Sequence, residues 1–207
     1  MSEITIRRSR TTRGDGELLI QMFDSQLPWL QSIGSGDQWG SSFIRDDPAK
    51  KAKYHTKVNQ SEVSEQQQWS PQWTGVYIAE RKQALSNPKD REAEVVPVAA
   101  LILEAKSADY VRPVLLEQDK KDPFLYLAYL LTDRTAGDLG KGAGAALILH
   151  TKVEARRLGL SRICMDCWSG NGGKLVQYYE RQGFTSLGSF GVNKLDDWPG
   201  EVLEMRL

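Results

Sequence analysis

A glycine-rich segment in the second half of the chain carries the strongest chemical signal. Residues 140–144 read Gly-Lys-Gly-Ala-Gly and stand between a buried-looking strand and an amphipathic helix. Alternating glycines let a backbone turn tightly and approach a ligand with no Cβ in the way. The helix that follows directs free N–H groups and the positive end of its dipole into the loop. This combination is typical of a phosphate or pyrophosphate site.

Two other glycine motifs compete for the same segment. A Walker A loop is excluded, because its pattern requires Gly where the chain has Thr135 and Ser or Thr where it has Gly142. A dinucleotide-binding turn stays open, since Gly140, Gly142 and Ala145 fit its tolerant form. That fold places the first glycine directly after the strand, whereas here residues 132–139 intervene. A dinucleotide-dependent oxidoreductase is therefore the alternative to the interpretation developed below.

Length and composition fit one globular domain. The chain has 207 residues, of which 40% are hydrophobic and 26% are charged. The 27 basic side chains balance the 27 acidic ones, which argues against a nucleic-acid partner. The longest apolar runs, 95–103 and 124–131, are too short to span a bilayer, and the N-terminus has no apolar run of signal-peptide length. We expect a cytoplasmic protein that does not bind membranes.

Hydrophobic periodicity predicts an element order of β-α-α-β-β-β-α-β-α-β-β, that is, an α/β (α+β) sheet flanked by helices. The predicted strands cover residues 4–8, 75–80, 95–103, 124–132, 162–168, 184–191 and 202–207. The predicted helices cover residues 14–29, 48–68, 142–158 and 173–182, the second of them capped by Asp46 or Asp47.

Residues 124–184 resemble the core of the GNAT acetyltransferase superfamily. A strand ending in Tyr-Leu-Leu-Thr at 129–132 precedes a glycine loop that matches the family's pyrophosphate loop, Arg/Gln-x-x-Gly-x-Gly/Ala. Asn171 and residues 175–184 match its closing helix–strand motif. Leu139 replaces the family's Arg or Gln, which we expect to be tolerated because the loop binds phosphate mainly through backbone N–H groups. Gly172 and its neighbour Gly173 lengthen the turn before the last helix.

The resemblance implies a GNAT-like fold: one domain over residues 1–207, with a mixed, mostly antiparallel sheet of about seven strands. Its cofactor core would cover about 95–190, and the acceptor-side helices and loop about 12–70. It implies an N-acetyltransferase that moves the acetyl group of acetyl-CoA to a primary amine by direct attack. The implied cofactor-binding residues are Leu130, Leu131, Thr132, Leu139, Gly140, Lys141, Gly142, Ala143, Gly144, Asn171 and Tyr179. The fourth and fifth strands would splay at a bulge and admit the pantetheine arm beside Leu130–Thr132.

Catalysis by such an enzyme has two proton problems. A lysine-like amine is protonated at pH 7, about 3 units below its pKa, which costs roughly 4 kcal/mol unless a base takes the proton. From the resemblance we expect Glu104, at the end of the third strand, to be this base, with Glu80 and Asp166 as competitors. Tyr179 matches the family tyrosine beside the sulfur and is the expected general acid. Tyr178 falls on a different face of its helix.

Asp37 and Trp39, in the loop after the first helix, are the expected acceptor-binding residues, because an aromatic ring and a carboxylate suit a cationic amine. The acceptor would be a small molecule such as an amino acid, a polyamine or an antimetabolite. A protein acceptor, a homodimer and a non-catalytic CoA-binding module stay open. Cys164 and Cys167 point to opposite faces of a strand, so we expect buried thiols and no metal site.

Overall fold

The computed structural model describes residues 3–36, 39–40, 42–83, 94–115, 118–192 and 198–207. Seven strands form one sheet in the order β1-β2-β3-β4-β5-β7-β6. They are β1 (Ile4–Arg8), β2 (Thr74–Gln83), β3 (Glu94–Glu104), β4 (Leu125–Thr132), β5 (Arg162–Trp168), β6 (Thr185–Val192) and β7 (Trp198–Arg206). Every neighbouring pair is antiparallel except β4 and β5, which run parallel. The predicted fold class is confirmed.

In the described part of the chain, four α-helices cover the two faces of the sheet: α1 (Asp15–Ser32), α2 (Pro48–Ser64), α3 (Ala143–Arg157) and α4 (Lys174–Arg181). Of the two predicted caps of α2, Asp46 and Asp47, the structure shows Asp47. Its carboxylate accepts hydrogen bonds from the backbone N–H of Ala49 at 2.9 Å and of Lys50 at 3.1 Å. Pro48 fits at N1, where its missing N–H costs nothing. Among the described residues, no helix is long and apolar enough to cross a membrane.

The alternation of side chains along the strands divides the core into two layers. Leu101 and Leu103 of β3 join the core beneath α3 and α4, whereas Ala100 and Ile102 join the core beneath α1 and α2. A third buried cluster extends the α1 side of the sheet across β4, β5 and β7. The sheet thus separates a face covered by α3 and α4 from a face covered by α1 and α2.

The sheet opens between β4 and β5. Only residues 125–127 of β4 pair with residues 163–165 of β5, although both strands continue beyond that point. The pairing of β3 with β4 shifts there, because Ile102 pairs with Tyr129 and Leu103 with Leu127, which leaves Ala128 as a bulge. A bulge bends its strand and increases the local twist. The fork and the bulge lie where the family resemblance predicts them.

Leu147 anchors α3 to the sheet, and its replacement tests this packing. Its side chain is 0% exposed, whereas Leu149, two residues along the same helix, is 62% exposed. Leu147→Ala removes buried methyl groups and leaves a cavity, so we expect the free energy of unfolding to fall by about 2–5 kcal/mol. Leu149→Ala is the matched control and should change it by less than about 0.5 kcal/mol. Urea denaturation measures both, and similar losses in the two variants would contradict this packing.

Candidate active site

A cleft of about 400 Å³ opens where β4 and β5 diverge, and it passes between the two faces of the sheet. Much of its wall is aromatic: Trp29, Trp39, Tyr110, Tyr129, Tyr178, Tyr179 and Trp198. Within the part of the chain that the structure describes, Asp166 and Arg134 are the only charged side chains in the lining. The cleft therefore combines a largely apolar wall with two isolated charges of opposite sign.

The glycine loop leads into unpaired backbone amides at the start of α3. Gly142 precedes the helix in the left-handed conformation, with φ +83°, which favours glycine. The first bond of the helix runs from the N–H of Ala146 to the carbonyl of Gly142 at 3.1 Å. The amides of residues 143–145 consequently have no acceptor within the helix. Gly140 is buried against Thr132, and a Cβ on it would lie 2.7 Å from the Thr132 Cγ2 atom, so the loop lies directly on β4.

Lys141 holds its loop in place through its backbone rather than its side chain. A guanidinium nitrogen of Arg81 donates to the Lys141 carbonyl at 2.7 Å. The Lys141 ammonium is exposed and pairs with Asp138 at 3.0 Å. Such an exposed pair contributes little stability and can exchange partners. The Lys141 side chain is thus free to reach an anion in front of the loop.

The other predicted loop residues divide between support and lining. Ala143 is fully buried and Leu139 packs against the core beneath α3, so both fix the loop. Gly144 lines the cleft, and a Cβ on it would lie 3.0 Å from the hydroxyl of Tyr178. The chain therefore passes close to this tyrosine only because a glycine stands there.

The edge of β4 that faces the fork has backbone groups that do not pair with β3. The N–H of Asp133 donates to Val98 of β3 at 2.9 Å. Because backbone groups alternate along an antiparallel strand, those of Leu131 also face β3, and those of Leu130 and Thr132 face the open side. The Leu131 side chain is buried beneath α1. Leu130 and Thr132 are thus the two residues of the predicted trio whose backbone reaches the cleft.

Three contacts from α1 fix Arg134, two residues beyond the end of β4. Its backbone N–H donates to the Ser25 hydroxyl at 3.2 Å, and its side-chain Nε donates to the Gln26 side-chain oxygen at 3.1 Å. Its guanidinium carbon lies 3.5 Å from the centre of the Trp29 ring. The Gln26 amide in turn donates to the Thr132 carbonyl at 2.6 Å. Partial burial lowers the pKa of Arg134 from its ordinary value, and a guanidinium still stays charged.

Tyr179 lies on the α3 side of the fork. Its ring is buried against Phe184 and Tyr178, with centroid separations of 5.8 and 5.2 Å. Burial raises its pKa, and no described residue forms a hydrogen bond with its hydroxyl, which therefore remains a free donor. Tyr178 also lines the cleft, although the sequence predicts a different face of the helix for it. Asn171 lies in the turn before α4, exposed and with φ +52°, and does not line the cleft.

Asp166 lies on the other side of the fork from Tyr179. It is the residue after Met165, the last residue of β5 that pairs with β4. Its carboxylate accepts hydrogen bonds from the hydroxyl of Tyr110 at 3.1 Å and from that of Tyr126. Burial raises the pKa of Asp166 above its ordinary value, and the two tyrosine hydrogen bonds oppose this shift. A partly desolvated carboxylate thus stands in the cleft where β4 and β5 begin to separate.

The structure does not bring the other two candidate bases to the cleft. Glu104, the expected base, forms an ion pair with Lys57 of α2 and is absent from the cleft lining. Glu80 is held by Arg7 at 2.5 Å and by Arg13 at 3.5 Å at the far edge of the sheet. Both carboxylates are therefore occupied by cations away from the fork.

Trp39 lines the α1 side of the cleft, where its ring packs edge-on against Phe23 of α1 at 5.2 Å. Asp37, the other expected acceptor-binding residue, lies outside the described residues. Four aromatic residues of the wall were not assigned by sequence reasoning: Trp29, Tyr110, Tyr129 and Trp198. They belong to separate parts of the chain, so no local pattern could have grouped them.

Cys164 and Cys167 are buried on opposite faces of β5, as the strand period predicts. Burial raises the pKa of each thiol to about 12, so both stay protonated near neutral pH. Among the described residues, no group of three or more His, Cys, Asp and Glu side chains is arranged to hold a metal ion.

No protein-family model and no curated protein sequence matches this chain. Solved structures do match over its whole length. A PaiA N-acetyltransferase from Thermoplasma acidophilum, in complex with coenzyme A, has a TM-score of 0.61 at 15% identity, with 99% of both chains covered. An acetyltransferase of the GNAT family from Listeria monocytogenes has a TM-score of 0.59 at 17% identity, covering 100% of this chain and 96% of that one.

A ribosomal-protein-alanine N-acetyltransferase from Brucella melitensis is similar to the same degree, with a TM-score of 0.59 at 15% identity over 98% of this chain and 99% of that one. Identities this low establish a common fold and leave the acceptor undetermined. The strand order, the fork after three paired residues and the glycine loop at the start of α3 agree with this likeness. The chain therefore has the fold of the GNAT N-acetyltransferases.

Proposed function

We propose that this protein is an acetyl-CoA-dependent N-acetyltransferase that acts on the primary amine of a small molecule. The observation that carries the proposal is a single cleft that joins three features. These are the free amides at the start of α3, the open edge of β4, and a tyrosine and a carboxylate on opposite sides of the fork. The aromatic wall and the limited volume of the cleft favour a small acceptor over a folded protein.

The proposed cofactor site follows from which atoms are available. The unpaired amides at the start of α3, with the Lys141 side chain beside them, would hold the diphosphate of coenzyme A. The pantetheine arm would extend along Leu130 and Thr132 in the manner of an added strand, while Leu131 supports that strand from the core. Asn171 remains a proposed contact at the turn before α4. Acetyl-CoA bound in this way supplies the reactive thioester at the fork.

Tyr179 is the proposed proton donor to the leaving sulfur. Its hydroxyl lies in the cleft without a described hydrogen-bond partner, and burial raises its pKa, so it carries its proton at neutral pH. A free hydroxyl beside the sulfur can protonate a thiolate as it departs.

Asp166 replaces Glu104 as the proposed proton acceptor. It lies in the cleft across the fork from Tyr179, and its raised pKa makes it a stronger base than an ordinary aspartate. In its ionised form it also attracts the ammonium form of the acceptor, so it can bind the substrate before it removes a proton. Tyr110 and Tyr126 hold the carboxylate in one orientation.

The deciding assay incubates the protein with acetyl-CoA and a panel of amines and follows free thiol. Mass spectrometry of the products identifies acetylated amines. Calorimetric titrations with coenzyme A and with NADH should show binding of the first alone. Binding of NADH without coenzyme A would support the dinucleotide alternative. Coenzyme A binding without acceptor-dependent thiol release would identify a non-catalytic module, and acetylation of peptides in preference to amines would reject the small acceptor.

Removal of the Tyr179 hydroxyl should slow turnover and leave cofactor binding intact. We expect Tyr179→Phe to lower kcat about 10²- to 10⁴-fold, because one proton donor is lost while the buried ring is kept. Tyr178→Phe is the matched control, since the neighbouring ring also lines the cleft. Steady-state kinetics and coenzyme A titration measure both variants. A fully active Tyr179→Phe enzyme would remove this residue from the mechanism.

A further inference from the structure

Arg134 is a cation held in place with no counter-ion among the described residues. Gln26 and Trp29 of α1 orient its guanidinium, and Ser25 accepts its backbone N–H; these contacts leave the charge of the guanidinium unneutralised. No carboxylate of the described residues pairs with it, whereas other arginines of the fold, Arg7 among them, meet aspartate or glutamate. A preorganised guanidinium that faces a cleft is suited to bind an anion in bidentate fashion.

The position of Arg134 favours the acceptor over coenzyme A as the source of that anion. All three of its contacts come from α1, which packs on the face of the sheet opposite α3. The free amides proposed for the diphosphate lie at the start of α3, on the other face. Trp29 and Gln26, which orient the guanidinium, line the same cleft.

Arg134 and Asp166 stand at opposite ends of this cleft. Asp166 follows the last paired residue of β5, which is level with Leu127 of β4, and Arg134 lies beyond the end of β4. The strand from Ala128 to Thr132 alone covers about 13 Å. One molecule can reach both charges only if several bonds separate its amine from its acidic group.

We infer, on the basis of the proposed function, that the acceptor is an elongated amino acid, with its amine at Asp166 and a remote carboxylate or similar anion at Arg134. The same guanidinium repels a second ammonium group, so a diamine or polyamine is disfavoured. The intervening aromatic wall suits an apolar spacer between the two charged ends.

Three probes of equal length test this inference: 6-aminohexanoate, hexylamine and 1,6-diaminohexane. For the wild-type enzyme we expect kcat/KM to fall in that order, with about a 10- to 100-fold preference for 6-aminohexanoate over hexylamine, as for the loss of a hydrogen-bonded charge pair. Arg134→Gln should abolish that preference. Arg134→Glu should favour the diamine over 6-aminohexanoate. The KM for acetyl-CoA should stay within about twofold in both variants.

Arg45→Gln is the matched control, because Arg45 also stacks on an aromatic ring, Phe43 at 4.1 Å, and does not line the cleft. It should leave the substrate preference unchanged. Equal use of the three probes by the wild-type enzyme would overturn the inference, as would an Arg134→Gln effect confined to the KM for acetyl-CoA. If the protein binds coenzyme A and acetylates other amines but none of the three probes, the inference about the acceptor is overturned and the proposed function stands. Failure to bind coenzyme A would overturn the proposed function.

Discussion

Gly142→Val will lower the affinity for coenzyme A at least about 100-fold. Each hydrogen bond to a charged group is worth about 1.5–3 kcal/mol, and the substitution is expected to disturb more than one amide that faces the diphosphate. Among the described residues outside its own neighbours in the chain, Ile4 alone lies within 4 Å of a Cβ on Gly142, at 3.9 Å. The new side chain therefore has room to occupy the ligand's position rather than displace the protein. Isothermal titration with coenzyme A measures the effect.

Valine at position 142 also strains the backbone, since φ there is +83°, and this cost needs its own control. Gly159, just after the other end of α3, has φ +73° with no atom near its Cβ position. Gly159→Val therefore imposes a similar strain, of order 1–3 kcal/mol, far from the glycine loop. Both variants should lose thermal stability, and only Gly142→Val should lose coenzyme A. Equal affinities in the two variants would contradict the placement of the diphosphate.

The elements that hold this loop were predictable from local sequence. The predicted limits of β1 and β5 agree with the structure, and those of most other elements differ by one to three residues. Each signal lies within or beside the element that it marks. Apolar side chains alternate along the strands, Pro48 marks the start of α2, and Gly159 marks the end of α3. Helix α1 contains Pro28, a residue that usually breaks a helix, yet it continues to Ser32, and Leu30 in its last turn is buried.

The chemistry of the fork was less predictable. A choice between Glu104 and Asp166 requires knowledge of where β4 and β5 separate, and this depends on a bulge at Ala128 that no local pattern specifies. Lys57 pairs with Glu104 across 47 residues of chain, and Tyr110 reaches Asp166 across 56. Sequence spacing gives no measure of such contacts. The contacts of Arg134 with α1 span more than one hundred residues and were missed for the same reason.

Asp166→Asn should lower kcat about 10²- to 10⁴-fold, the range for loss of a general base. Coenzyme A affinity should be unchanged, because Asp166 lies across the fork from α3. Glu104→Gln provides the comparison, since Glu104 is the carboxylate that family resemblance favours. The structure pairs it with Lys57 outside the cleft, so its replacement should leave kcat within a few-fold. If Glu104→Gln loses most of its kcat and Asp166→Asn stays active, Glu104 and not Asp166 is the general base.

The pH dependence separates a base from a residue that only shapes the cleft. Burial raises the pKa of Asp166, so kcat of the wild-type enzyme should decline on acidification at a higher pH than for an ordinary aspartate, and Asp166→Asn should lack this limb.

The pH dependence of the free energy of unfolding tests the same raised pKa independently. Because the folded pKa lies above the unfolded value, near 3.9, the native state holds this proton longer, and wild-type stability falls as pH rises between the two values. Asn has no such proton, so the melting temperature of Asp166→Asn relative to wild type should rise across that window. A constant difference across it would contradict the desolvated state of Asp166.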